Sequence, residues 1–248
     1  MKLILNGCLG RMGRAVTELA PARDCMVVAG VDMATGTAAY PVYATLTECP
    51  EADAVIDFSS PAALEEELVY VTARRLPLVL CTTGLTAKQI EAVKAAAQIV
   101  PVFFSSNMSL GVAVLSALTK KAAAVLGDTY DVESVEMHHN QKLDAPSGTA
   151  LMLADAAKAG LSFEPEYTYD RHTRRQKRDK KEIGIASLRG GTVVGEHSVY
   201  FAGEQEVLTL SHSAGSRSVF AAGALTAAKF LSGKPAGLYS MEDLLGGL

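Results

Sequence analysis

Tryptophan is absent from the 248 residues, and Phe, Tyr and Trp together make up only 6%. Stacking platforms for bases need such rings, and a formal net charge of -4 gives no pull on phosphates, so a general nucleic-acid binder is excluded. No apolar run approaches the ~20 residues needed to span a bilayer, so no membrane partner is expected. The opening Met1 to Gly7 is too short an apolar stretch for a signal peptide and runs into a glycine loop. Cysteine is scarce. Cys8, Cys25, Cys49 and Cys81 show no C-x-x-C spacing, which argues against a zinc ribbon or a redox pair. Free thiols without an export signal fit a reducing cytoplasm. Repeats and low-complexity segments are also missing. Hydrophobic residues, at 49%, are plentiful enough for one large core or two ordinary ones.

The first half alternates apolar runs with helical patterns. Lys2 to Asn6 has a strand's length, and Gly7-Cys8-Leu9-Gly10-Arg11-Met12-Gly13 follows at once. Ala15, Val16 and Leu19 then take helical spacing. Strand, G-x-x-G-x-x-G, helix is the context in which glycines allow a tight turn and bring a pyrophosphate to a helix N-terminus. Met26 to Val31 is a second strand, ended by Asp32, 19 positions after Gly13. An acidic residue there suits an adenosine ribose; the alternative is an aspartate capping a turn. Further strands are expected at Ala54 to Phe58, Leu78 to Leu80 and Val100 to Phe104, with helices at Ala62 to Arg75 and Thr86 to Ala97. This alternation predicts a Rossmann-like, doubly wound parallel sheet. Ligands of such sheets sit at the strand C-terminal ends, here Gly7, Asp32, Phe58-Ser59, Cys81-Thr82-Thr83 and Ser105-Ser106-Asn107.

After a long Ala/Leu/Val helix from Ser109 to Leu126 the pattern changes. Val132 to Met137 alternates like a half-buried strand, and Ser147 to Ala159 is helical. Ile183 to Leu188, Thr192 to Phe201 and Val207 to Ser211 are strands in succession, which predicts an α+β domain on an open mixed sheet. The expected division is 1–107 and 108–248, with a last helix at about 217–231 packing back on the first domain. Arg171 to Arg178 holds five basic residues and reads as a solvated, mobile loop; its charge could also steer a dianion.

Glu136 to Ala150 carries the chemistry. It places His138, His139, Lys142 and Asp144 within seven residues, then enters a helix through Pro146-Ser147-Gly148-Thr149. Ser147 or Asp144 can cap that helix, whose free N–H groups suit a carboxylate or phosphate. His138 and His139 would face opposite sides of a regular strand, so they share a site only if the strand ends there. Zinc is disfavoured, because neighbouring histidines do not both ligate easily and the usual partners are missing. With a nicotinamide dinucleotide on the first domain, His and Lys are natural proton donors for a reduction. Two other readings are a nucleotide-binding regulatory protein without turnover, and a dehydrogenase with Cys81 as nucleophile.

These residues resemble the 4-hydroxy-tetrahydrodipicolinate reductase (dihydrodipicolinate reductase) family of bacterial lysine and diaminopimelate synthesis, over essentially the whole chain. The matching motifs are GxxGRMG at Gly7, VIDFSSP at Val55, Thr82-Thr83-Gly84, NMSLGV at Asn107, HHNQKLDAPSGTA at His138, SLRGG at Ser187 and Gly195-Glu196-His197, then His212, Arg217 and Phe220. The resemblance implies NAD(P)H on Gly7, Cys8, Leu9, Gly10, Arg11, Met12, Asp32, Cys81, Thr82, Thr83, Ser105, Ser106, Asn107 and Met108. It implies a heterocyclic dicarboxylate between the domains near His139, Lys142, Gly148 and Thr149. His138 and Lys142 match the family's proton-transfer pair, and a homotetramer built through the second domain's sheet is expected. Two departures stand out. Cys81 replaces the first glycine of the family's GTTG, and Met33 follows Asp32 where NADPH-preferring members often carry a basic residue. NADH is therefore expected to serve at least as well as NADPH.

Overall fold

The computed structural model describes residues 1–246, Asp128 by its backbone alone. In chain order the elements are β1 (Lys2–Asn6), α1 (Arg11–Leu19), β2 (Met26–Val31), β3 (Val42–Tyr43), β4 (Ala54–Asp57), α2 (Leu64–Arg74), β5 (Leu78–Leu80), α3 (Ala87–Ala96), β6 (Pro101–Phe104), α4 (Leu110–Leu126), β7 (Asp131–His138), α5 (Gly148–Gly160), β8 (Glu166–Thr168), β9 (Glu182–Arg189), β10 (Gly195–Ala202), β11 (Val207–Ala214), α6 (Ser218–Leu231), β12 (Gly237–Tyr239) and α7 (Met241–Leu244). They form two units. One is Met1–Leu110 with the segment that begins at Arg217; the other is Gly111–Ser216.

The first unit is a seven-stranded parallel sheet in the order β12-β6-β5-β4-β1-β2-β3. Continuous apolar runs make strands buried on both faces. Ile4, Val55, Leu78, Leu80 and Val102 join Leu68 and Val71 of α2 and Val93 and Ala96 of α3 in one core. The alternate residues point the other way, where Phe103 meets Phe230 of α6 edge to face at 6.2 Å. Helix α6 is apolar almost all round, and such a helix must be buried. It packs on α1 and on β4, β5 and β6. Gly223 lets it press on the chain at Met108, whose carbonyl oxygen would lie 1.6 Å from an added Cβ. Thr86 caps α3 through a reciprocal pair with Gln89, which explains why that helix starts where it does.

The second unit is a five-stranded mixed sheet in the order β11-β10-β7-β9-β8. Strand β10 runs antiparallel to β7 and β11, and β7, β9 and β8 run parallel. Two helices, not α5 alone, cover one face: Leu115 and Ala123 of α4 enter the same core as Leu153 and Ala157 of α5. The two helices approach so closely at Gly160 that an added Cβ would lie 2.3 Å from the Lys120 carbonyl oxygen. The opposite face leaves Leu188 of β9 half exposed.

The basic segment is not simply a solvated loop. Arg171 forks onto the Glu133 carboxylate at 3.0 and 2.8 Å and also reaches Glu182. Arg174 bonds the other Glu182 oxygen at 2.6 Å. Arg178 bonds Glu133 and Asp131 and donates to the Val132 carbonyl at 3.1 Å. Only Arg175 and Lys177 among its strong cations fit the solvated reading. Two strand carboxylates and one near-buried glutamate need partners, and the loop arginines supply them. Among the described residues, no helix is long and apolar enough to cross a membrane.

Candidate functional site

The first unit presents a cradle where β1 lies between β2 and β4, the point at which the strand order reverses. Gly7 follows β1 with φ +76°, and an added Cβ would sit 2.6 Å from the Phe58 carbonyl oxygen. Only glycine satisfies both constraints. The N-cap of α1 is Gly10, which has no side chain to satisfy the helix's first N–H groups. Those groups are left for an anion. Asp32 accepts from the Leu9 N–H on one oxygen and the Ala34 N–H on the other, both at 2.9 Å. It holds the loop shut while each oxygen keeps acceptor capacity for a ribose hydroxyl. A cavity of about 640 Å³ opens here, lined by Gly7, Leu9, Gly10, Asp32, Met33 and Ser60 among others. The uncapped helix start, the close-approach glycine and the carboxylate together fit a dinucleotide.

A second cavity of about 370 Å³ is lined by Met12, Cys81, Thr82, Thr83 and Asn107, with Phe220 of α6. Its walls are tied by Asp57, which is buried and accepts from Thr82 Oγ1 at 2.5 Å and the Ser59 N–H at 2.8 Å. Burial pushes the Asp57 carboxyl up, against the pull of those bonds. Behind it lies Glu67, wholly buried, whose carboxyl is pushed well up by burial and then by Asp57. The Cys81 thiol is also pushed well up, by burial first and by Asp57 and Glu67 next. A thiol held protonated is not a nucleophile, so the Cys81 reading loses its basis.

In the second unit β7 ends at His138, so His139 leaves the strand's alternation, as a shared site requires. Ser147 caps α5, its Oγ accepting from the Ala150 N–H at 3.2 Å. Lys142 pairs with Asp144 at 2.8 Å and folds the intervening loop. The centre of this region is Glu136, fully buried on the same strand face as His138. Its Oε2 accepts from His138 Nδ1 at 2.6 Å and its Oε1 from the Ser147 N–H at 3.1 Å. Arg189 forks onto both oxygens at 2.8 Å. Burial alone would raise this carboxyl, but bonds from Arg189, His138 and Ser187 outweigh it and hold it at about 2. His197 stands edge to face with His138 at 5.1 Å and reaches Ser147 Oγ at 3.0 Å. Burial, and then the nearby His138, pull His197 down to about 4.

The expected cofactor residues fall in three places. Gly7, Leu9, Gly10 and Asp32 line the larger cavity. Met12, Cys81, Thr82, Thr83, Ser105, Ser106, Asn107 and Met108 line the smaller. Cys8 and Arg11 line neither. The Cys8 side chain is buried under Gly30, so only its backbone remains for a ligand, and Arg11 is exposed. His138, His139, Lys142, Gly148 and Thr149 all belong to the second unit. Glu136, Arg189 and His197 were not singled out as site residues. The period-2 relation of Glu136 to His138 is a signal that would have found the first. Arg189, 53 residues from Glu136, leaves no local trace.

A dinucleotide cradle in one unit and a histidine–lysine centre beside a capped helix start in the other define an NAD(P)H-dependent oxidoreductase. Comparison with known proteins agrees. The N-terminal family model of dihydrodipicolinate reductase matches residues 1–108 and the C-terminal model residues 111–245. A 4-hydroxy-tetrahydrodipicolinate reductase of Caldanaerobacter subterraneus subsp. tengcongensis is 51% identical, covering 99% of this chain and 98% of that protein. One of Clostridium novyi is 44% identical over 98% of each. The solved structure of a dipicolinate-bound dihydrodipicolinate reductase from Paenisporosarcina sp. TG-14 shares the fold, with TM-score 0.78 and 23% identity over 99% of both chains. The chain belongs to the dihydrodipicolinate reductase family.

Proposed function

We propose that the chain reduces 4-hydroxy-tetrahydrodipicolinate to tetrahydrodipicolinate with loss of water, in lysine and diaminopimelate biosynthesis. The observation that carries this reading is the cluster of His138, His139 and Lys142 beside the Ser147-capped start of α5, in a chain whose relatives are named for that activity. The bound nicotinamide supplies hydride; the protein supplies orientation and a proton. The first N–H groups of α5, with Gly148 and Thr149, seat one carboxylate of the substrate. Lys142 binds the dianion, exchanging Asp144 for a substrate carboxylate, and His139 lines the same seat. Hydride adds to the ring carbon left electrophilic once the 4-hydroxyl has departed as water. The negative charge left on the conjugated system is quenched by a proton from Lys142 or His138. Asp32 accepts from the ribose hydroxyls and repels a 2′-phosphate, so NADH serves at least as well as NADPH. A homotetramer through the open face of the second sheet would cover Val135, Met137 and Leu188; light scattering at micromolar concentration tests it, a monomer mass being the contrary result.

The deciding experiment is oxidation of NADH by purified protein with and without freshly generated substrate. Turnover only with substrate is expected. Tight NADH binding without turnover would instead support a regulatory role.

A further inference from the structure

We propose that Glu136, clamped by Arg189, is a positioning residue that fixes His138 as the tautomer with its proton on Nδ1 and turns Nε2 toward the reacting side. The inference deepens the function proposed above and rests on it. A carboxylate has acceptor sites for about four donors. At Glu136 all are taken: His138 Nδ1 on Oε2, the Ser147 N–H on Oε1, one Arg189 nitrogen on each oxygen, and the Ser187 side chain besides. The Arg189 and Ser147 groups can only donate and between them occupy both oxygens, so the oxygen that faces Nδ1 has no proton to give and Nδ1 must carry one. The carboxylate stays charged, because the same bonds hold it at about 2.

The geometry beyond the ring agrees. Nε2 lies over Gly195, where an added Cβ would be 3.1 Å away. A side chain at 195 would crowd the one ring nitrogen free to exchange a proton. The other charged or titratable groups around His138 stand on the neighbouring strands and in the loop that follows it: Arg189 opposite it on β9, His197 against its ring on β10 with His212 in register on β11, and Lys142 paired with Asp144. His197 stays neutral near pH 7, so it adds no charge against the imidazolium. The other Glu136 oxygen, Oε1, holds the Ser147 N–H. One buried carboxylate thus sets both the proton carrier and the start of the helix that seats the substrate.

The test begins without a variant. Nitrogen-15 NMR of histidine-labelled protein, recorded over a pH series so that the neutral ring is read, should show His138 with its proton on Nδ1; the signal is assigned by its loss in His138→Gln. A proton on Nε2 would overturn the proposal. Glu136→Gln offers one oxygen where two are needed, so an amide N–H must face a donor. At Oε1 that N–H would face the Ser147 N–H, which cannot accept; at Oε2 it faces the imidazole, which can by moving its proton, so the tautomer should switch to Nε2–H. In turnover, kcat should fall by more than about tenfold, with NADH affinity unchanged, and the alkaline limb of the pH–rate profile, where the acid gives up its proton, should move to lower pH as the anion is lost. Glu136→Asp, which keeps the charge, should restore the Nδ1–H tautomer and part of the rate, and serves if the glutamine variant does not fold. An unchanged tautomer in Glu136→Gln, or kcat within threefold of the parent, would overturn the proposal. A parent that binds NADH but never turns over refutes the function above, and the tautomer then decides this claim alone.

Discussion

Replacing Glu67 by glutamine should flatten the dependence of stability on pH. Glu67 is wholly buried on α2; its Oε1 accepts from Asn6 Nδ2 at 3.1 Å, and its Oε2 has no hydrogen-bond partner. Burial, and then the neighbouring Asp57, push its carboxyl well up. The sign follows from proton counting. The unfolded chain gives up this proton near pH 4.3, the folded chain only at higher pH. Between those values the folded state binds more protons, so stability falls as pH rises, by up to ~1.4 kcal/mol per pH unit. Glutamine keeps the Asn6 bond and cannot ionise. Its amide lacks a partner where Oε2 stood, at a cost of about 1–3 kcal/mol, but that cost does not change with pH. The readable quantity is therefore the difference between variant and parent as a function of pH. From pH 5 to pH 7 it should shift in favour of Glu67→Gln, at a slope no steeper than about 1.4 kcal/mol per pH unit. Urea denaturation at five pH values measures it. Parallel curves for the two proteins would refute the assignment of a buried, proton-holding carboxyl at Glu67.

Three further outcomes are expected. The ratio of kcat/KM for NADH over NADPH should be one or more, since Met33 is fully exposed and, among the described residues, no cation pairs with Asp32; a preference for NADPH beyond about tenfold would contradict this. Cys81→Gly should keep most of its activity, and the parent should resist iodoacetamide at pH 8, because the thiol is buried and held protonated; a loss beyond about a hundredfold in kcat with the fold intact would point to direct chemistry. Arg178→Met should cost about 2–4 kcal/mol by urea denaturation, since it strips charged partners from Glu133 and Asp131, whereas the exposed Arg175→Met should stay within about 0.5 kcal/mol; equal effects would restore the reading of a merely solvated loop.

The parallel sheet was legible because its strands are continuous apolar runs with polar ends. Met26–Val31 and Leu78–Leu80 match the expected ranges residue for residue. Strands β3, β8 and β12 were not foreseen. Two or three residues carry no periodicity, and backbone pairing such as Gly237 with Pro101 leaves no side-chain pattern. Strand β10 begins at Gly195 rather than Thr192, because Gly191, at φ +50°, and Thr192 form the turn that precedes it. The helix expected from Ala62 starts at Leu64, after a 3-10 turn at Pro61–Ala63. Within the site, His138 to Thr149 is one short stretch and could be read directly. Its supports could not: Arg189 and His197 arrive on other strands, and what unites them with Glu136 is sheet register, His197 opposite Glu136 and Arg189 opposite His138.

The central claim, that Glu136 to Thr149 holds the chemistry of a dicarboxylate reduction by NAD(P)H, is tested most directly by steady-state NADH oxidation on freshly generated substrate. The parent is compared there with Lys142→Ala and His138→Ala, after NADH binding to each has been measured by fluorescence. Substrate-dependent turnover is expected in the parent, with a loss in both kcat and KM for Lys142→Ala, a loss mainly in kcat for His138→Ala, and unchanged NADH affinity throughout. Turnover in both variants within about threefold of the parent, less than ~1 kcal/mol of barrier, would contradict that claim.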